Sequence, residues 1–148
     1  MLTPILFGCL IILISVLIQA YSTVVWLNKI MGLLNDRTYH NRFTTVTTLL
    51  SLSFIFFALI HVTQTLIWAG LFYWLPEINR QLSSFSEAWY YSMVTFTSLG
   101  YGDITLTGDW RLLSGIEAIN GIMLIGWSTA MMYSLIQRIF ASIYENKK

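Results

Sequence analysis

The stretch richest in chemical possibility is Thr95-Phe96-Thr97-Ser98-Leu99-Gly100-Tyr101-Gly102-Asp103. Gly100 and Gly102 occupy alternate positions, and a backbone whose successive carbonyls point the same way must alternate between ordinary and left-handed conformations. Glycine takes the left-handed one at no steric cost. With that alternation Tyr101, between the two glycines, is free to pack its ring outward and brace the strand. The uncharged run that ends here, Ala88 to Gly102, has a helix-compatible part of about a dozen residues, too short to cross a bilayer. A short helix aiming its C-terminus at the membrane middle places the negative end of its dipole there, which favours a cation. Backbone at that depth cannot face lipid, so it is buried in protein or lines a water-filled path.

The rest of the chain reads as the scaffold for that segment. Of 148 residues, 56% are hydrophobic and only 10% charged, and the mean hydropathy is +0.67. A soluble domain carries roughly a quarter charged residues, so water is the wrong solvent for most of this chain. A net charge of +1 leaves no basic stripe for nucleic acid. The single cysteine, Cys9, excludes an intrachain disulfide, and two separated histidines give no metal-ligand spacing. Six Trp, eight Tyr and nine Phe suit aromatic girdles at membrane interfaces.

Met1 to Asn28 contains no Asp, Glu, Lys, Arg or His, which predicts a first membrane span, placed at residues 1–34. Its start, Met-Leu-Thr-Pro, has no basic residue of the kind that opens a secretory signal, so the helix is expected to be retained. A polar loop at 35–43 follows. The second span is expected at 44–75 and is long enough to tilt. A short helix at 88–97 and a loop at 98–103 come next, then a third span at 111–138 interrupted by Glu117, and a polar tail at 141–148. Lys29, Arg37, Arg42, Arg138, Lys147 and Lys148 fall on one side of the membrane, and Arg80 and Arg111 on the other. This asymmetry places the first loop and the C-terminus in the cytoplasm and the N-terminus outside. The external segment holds Glu77, Glu87, Asp103 and Asp109 against two arginines, a surplus of acid that concentrates cations on that side.

Ser98-Leu99-Gly100-Tyr101-Gly102 followed by Asp103, with Tyr90-Tyr91-Ser92 in the preceding helix, resembles the selectivity filter and pore helix of the potassium-channel pore-domain family. The resemblance covers Thr44 to Phe140, a domain expected at 44–140, but not the first span, so the chain is similar to a bacterial two-transmembrane-type channel with an extra N-terminal helix. It implies an all-α integral membrane protein in which three transmembrane helices and a re-entrant pore helix assemble as a homotetramer in the cell membrane. In that family the carbonyls equivalent to those of Ser98, Leu99, Gly100 and Tyr101, with the Ser98 hydroxyl, replace the hydration shell of potassium. Potassium is then the permeant ion, lipid the surroundings, no cofactor is needed and no enzyme chemistry is expected. Three departures stand out. Ser98 replaces the usual Thr and loses the methyl that restrains its rotamer; Leu99 replaces Val; and Val94 stands where some bacterial members place a buried carboxylate partnering the Asp after the filter. Asp103 therefore needs another partner, and Tyr90 is the candidate. A weakly selective cation channel and a non-conducting membrane scaffold or regulatory subunit are the alternatives.

Glu117 is expected either to bond the back of the pore helix at Ser92 or Thr95, supporting the filter, or to sit as an outer carboxylate paired with Arg111. The resemblance suggests an inner-helix hinge at Gly121; close helix packing is the equal alternative. If Gly121 fixes the register, Ile122, Ile125, Thr129, Tyr133 and Gln137 share one face, with Thr129 lining the cavity and Tyr133 narrowing its mouth. His61, one turn from Gln64, reads as a neutral histidine satisfied by the first helix or as a pH sensor. Gln19 and Ser22 are the first-helix groups expected to reach it or Gln64.

Overall fold

The computed structural model describes residues 2–35 and 42–145 and is entirely helical apart from its loops. Arg37, His40, Lys147 and Lys148, with most of the expected loop at 35–43 and the last three residues of the expected tail, lie outside the described residues. The first helix, α1, runs from Leu2 to Asn35 and the second, α2, from Arg42 to Trp74. A one-turn helix α3 (Pro76–Asn79) and the shorter α4 (Phe85–Phe96) follow. A 3₁₀ turn at Gly108–Trp110 leads into α5 (Arg111–Glu145). Three of these helices, over Leu2–Leu33, Thr44–Trp74 and Gly108–Ala141, are long and apolar enough to cross a membrane.

The chain is inside-out for a soluble protein. Less than a third of each apolar stretch is covered by the rest of the chain, and Leu17, Phe54 and Leu59 are among the large apolar side chains left exposed. With lipid as solvent the helices need no polar outer face, and polar groups gather inward. Ser15, Gln19, Ser53, Gln64, Ser92, Glu117, Asn120 and Ser128 are all buried.

Contacts fix the relative directions of the helices. Phe7 meets Trp74, Gln19 meets Gln64 and Trp26 meets Ser53, so α1 and α2 are antiparallel. Gly8 packs on Ile116, Gln19 bonds Ser128, and Met31 meets Arg138, so α1 runs parallel to α5 along its whole length. The main core joins α2, α4 and α5 through Trp68, Phe72, Tyr91, Phe96, Leu113 and Leu124, with Ile11 of α1 added. A smaller cluster of Ile30, Leu49, Leu135 and Ile139 ties the other end together.

The short helix begins three residues before the expected start at 88 and ends one before the expected 97. Charge-free runs set the expected bounds, and Glu87 was read as a boundary; it is instead part of the helix cap. Ser84 Oγ accepts from the Glu87 amide at 3.2 Å, and a Glu87 carboxylate oxygen accepts from the Ser83 amide at 2.5 Å. Serine at the N-cap with glutamate three residues later satisfies otherwise orphaned amides. α5 also continues two turns beyond the expected 138, whereas α2 differs from 44–75 only at its ends.

Candidate functional site

Phe96, the last residue of α4, sets the depth of the site. Its ring lies 5.9 Å from that of His61, near the middle of α2, and its backbone carbonyl lies against Gly121 of α5. Gly121 is ten residues into α5, about 15 Å along the axis, or half the hydrocarbon thickness of about 30 Å. The short helix thus stops midway along the long ones, and the chain returns through 97–107 to the start of α5.

The turn at Phe96 is a helix C-cap of a defined kind. The Ser98 amide donates to the Thr95 carbonyl at 2.9 Å and the Leu99 amide to the Val94 carbonyl at 3.0 Å. This is the Schellman pair, which needs a left-handed residue after the cap; Ser98 fills it with φ +57°. Gly100 (φ +56°) and Gly102 (φ +76°) continue the alternation. The glycine pattern foretold two of these three reversals but not the one at Ser98, because serine carries no glycine-like signal for it. All of Ser98, Leu99, Gly100, Tyr101, Gly102 and Asp103 are exposed on the single chain, Leu99 at 56% and Tyr101 at 67%.

The left-handed Ser98 also bears on its replacement of the family's threonine. A β-branched residue at positive φ is a steric outlier. Ser98→Thr, although it restores the consensus, is expected to add about 1 kcal/mol of strain and to lower the melting temperature by a few degrees in a thermal unfolding assay. A variant at least as stable as the parent would show that the segment does not hold this conformation.

The other end of the segment is fixed by Tyr90, whose hydroxyl donates to Asp103 Oδ2 at 2.7 Å. The carboxylate so close by holds the Tyr90 hydroxyl above the usual phenol range, so the donor stays protonated throughout the neutral region. Behind the segment, Tyr91 is hydrogen-bonded to Ser114 of α5. A cavity of about 410 Å³ lies between α4, the segment and the first turns of α5, with Tyr90, Val94, Thr95, Gly100 and Gly115 on its walls.

Glu117 is fully buried and bonds Ser92, not Thr95 and not Arg111. Ser92 Oγ is 2.5 Å from Glu117 Oε1 and 2.9 Å from the Thr65 carbonyl. A hydroxyl has a single proton, and a carbonyl can only accept. Ser92 is thus the hydroxyl donor within reach of both oxygens, with Glu117 Oε1 the nearer, while the other Glu117 oxygen has no protein partner among the described residues. Through Ser92 the carboxyl joins α2, α4 and α5. Glu117→Gln keeps the shape and an acceptor, so its unfolding midpoint is expected to match the parent's. Glu117→Ala leaves Ser92 short of a partner and opens a void, costing on the order of 2 kcal/mol. Equal damage from the two substitutions would show that the contact with Ser92 needs the carboxyl itself.

Gly121 faces α4. A Cβ built there would collide with the Phe96 carbonyl oxygen and lie 2.7 Å from its carbonyl carbon and 2.9 Å from its ring. The close-packing alternative accounts for this glycine by itself, and α5 passes through it as continuous helix. Gly126 meets nothing comparable within the chain. Ile122, Ile125, Thr129, Tyr133 and Gln137 all lie on an exposed face of α5. There Thr129 Oγ1 donates to the Ile125 carbonyl at 3.0 Å, and Gln137 donates to the Tyr133 hydroxyl at 2.6 Å.

Ser128, Thr65 and Asn120 are buried polar residues of the same helices that the sequence reading did not single out. One signal for two of them was available: 113, 117, 120, 124 and 128 form a single stripe along α5, and every one is buried.

Three helices long and apolar enough to cross a membrane, with a short helix ending between them on a left-handed turn, fit a multi-pass membrane protein. Residues 60–138, more than half of the chain, match a family model described as an ion channel. The chain belongs to that family, and the match spans the same short helix, loop and final helix on which the potassium-channel pore-domain resemblance rests. Comparison with curated proteins and with solved structures gave no match.

Proposed function

We propose that the protein is a passive, potassium-selective channel, a homotetramer in which Ser98-Leu99-Gly100-Tyr101-Gly102 from each chain forms one wall of the filter. The observation that carries this reading is the run of left-handed residues at 98, 100 and 102, placed at mid-depth and exposed on the single chain. Backbone there is stable in a bilayer only if protein or water covers it. Four chains around an axis supply that cover, and closed rotational symmetry is the usual way identical subunits do so. The carbonyls of Ser98, Leu99, Gly100 and Tyr101 then substitute for the ion's hydration shell. The C-terminal end of α4, the re-entrant pore helix, directs its dipole at the path. Tyr90, Thr95, Asp103 and Glu117 support the filter, while Ile125, Thr129 and Tyr133 of the inner helix line the cavity beyond it.

The ion moves down its electrochemical gradient and no bond is made or broken. In this reading the N-terminus and the 76–111 segment face outward, and the C-terminus is cytoplasmic. The replacements at Ser98 and Leu99 make weak selectivity the nearest competing reading. Purified protein in liposomes, with potassium or sodium as the only permeant cation, separates the two: potassium uptake at least tenfold above sodium is expected. Equal uptake would establish a non-selective pore, and absence of both ions' flux from demonstrated tetramers would favour a scaffold.

A further inference from the structure

In the middle of the helix bundle, four side chains from three helices close a ring. Gln19 of α1 donates from Nε2 to Ser128 Oγ of α5 at 2.9 Å. Ser128 Oγ lies 3.0 Å from His61 Nε2 of α2, and His61 Nδ1 lies 2.9 Å from Gln64 Oε1. Gln64 Nε2 returns to Gln19 Oε1 at 3.1 Å and also reaches the Ser15 carbonyl at 3.4 Å. Gln19 and Gln64 are fully buried and Ser128 nearly so.

With His61 neutral, proton counting allows one arrangement around this ring. Gln64 Oε1 can only accept, so His61 Nδ1 carries a proton. Ser128 accepts from Gln19, so its own proton goes to His61 Nε2, which must be bare. Each member then donates once and accepts once in the same rotational sense, an arrangement in which the bonds strengthen one another. A second proton on His61 destroys it. Nε2 becomes a donor aimed at an oxygen that is already donating toward it, and the Ser128 proton must swing back to its own helix. The ring also acquires a positive charge with no carboxylate in it, at a depth where a charge costs a few kcal/mol.

Ser128 is the mid-bundle point where α1 bonds α5, one residue before Thr129. His61 in turn touches Phe96, whose carbonyl rests on Gly121. We propose that the ring is a proton-operated latch: with His61 neutral it fixes α1 and α2 to the inner helix at Ser128, and protonation of His61 opens it. This gives the first helix a regulatory task that its apolar sequence does not advertise.

Among the described residues, no other titratable group on the packed elements competes for the ring. Toward the outer end, Tyr91 is held by Ser114 and Glu117 by Ser92, Tyr90 is bonded to Asp103, and Glu87 caps its own helix. Toward the other end, Tyr133 accepts from Gln137 and Arg138 reaches Met31. On α1, Cys9, Tyr21 and Lys29 are exposed, and Tyr73 on α2 lies three turns beyond His61.

The latch chemistry is tested independently of conduction. In a full-length His40→Asn protein, His61 is the only histidine, and ¹⁵N-histidine labelling with solid-state NMR in liposomes reads its two nitrogens. At about pH 7.5, above the ordinary imidazole range, Nδ1 is expected protonated and Nε2 bare. Ser128→Ala should abolish that preference. An Nε2-protonated ring or an imidazolium at this pH overturns the proposal. The regulatory consequence rests on the channel reading and is measured as potassium flux. Lowering the pH from about 7.5 to about 5.5 should change flux by about threefold or more in the parent and leave His61→Gln unchanged. Ser128→Ala should show the acid-like flux already at the higher pH. A pH response that survives in His61→Gln removes the latch from regulation. If no variant conducts, the channel reading fails, while the nitrogen spectra still decide whether the latch exists.

Discussion

Gly121→Ala is expected to be the most damaging single-methyl change in the chain. The atoms its Cβ would strike are the Phe96 carbonyl and ring, and backbone at the end of a capped helix cannot turn aside as a flexible side chain can. Either α5 or the end of α4 must shift, and overpacking of this kind costs about 1–3 kcal/mol. Only Thr97 separates Phe96 from Ser98, so the displacement passes directly into the base of the filter. We expect a melting temperature lower by several degrees and potassium flux reduced by at least about tenfold. Gly126→Ala is the matched control, since its added methyl meets nothing in the chain; it should fold at least as well as the parent, given alanine's advantage of about 1 kcal/mol in a helix. If Gly121→Ala and its control behave alike, the close approach of α5 to Phe96 is wrong.

Gly100→Ala acts differently. Nothing in the chain lies within 4 Å of the added atom, so packing is undisturbed and the penalty is purely conformational. At φ +56° an alanine pays about 1–2 kcal/mol and is drawn toward an ordinary backbone conformation, turning a carbonyl out of line. The expected result is a protein that expresses, assembles and melts within a few degrees of the parent, but whose potassium flux falls by about a hundredfold or more. Flux that is unchanged in Gly100→Ala would remove these carbonyls from the conduction path. The two substitutions therefore separate a glycine required for space from one required for its backbone angle.

That distinction also marks what a one-dimensional reading can recover. The three spans were legible because charge is so costly in lipid that its absence over long runs is itself a signal. Gly100 and Gly102 were legible because alternate glycines have few other uses at that depth. Tyr90 and Ser92 could be proposed as partners for Asp103 and Glu117 because few polar groups lie within reach of either. Gly121 carried two equal meanings, and the position of Phe96 supports the packing one. Ser98 gave no hint of its left-handed backbone, since serine adopts it here to complete a helix cap. The start of α4 was encoded in Ser84 and Glu87, yet a search for uncharged runs reads a capping glutamate as an interruption. Ser128 was the least visible, because a serine in an apolar helix announces no partner. Its role emerges only when Gln19, His61 and Gln64 are brought around it.

The filter is tested most directly by the reversal potential of the purified protein in a planar bilayer with potassium on one side and sodium on the other. For a univalent cation, each tenfold preference displaces the reversal by about 59 mV. The filter reading predicts a displacement of at least that size toward the potassium equilibrium potential, abolished in Gly100→Ala. A reversal near zero in the parent protein would contradict it and leave a pore that does not choose between the two ions.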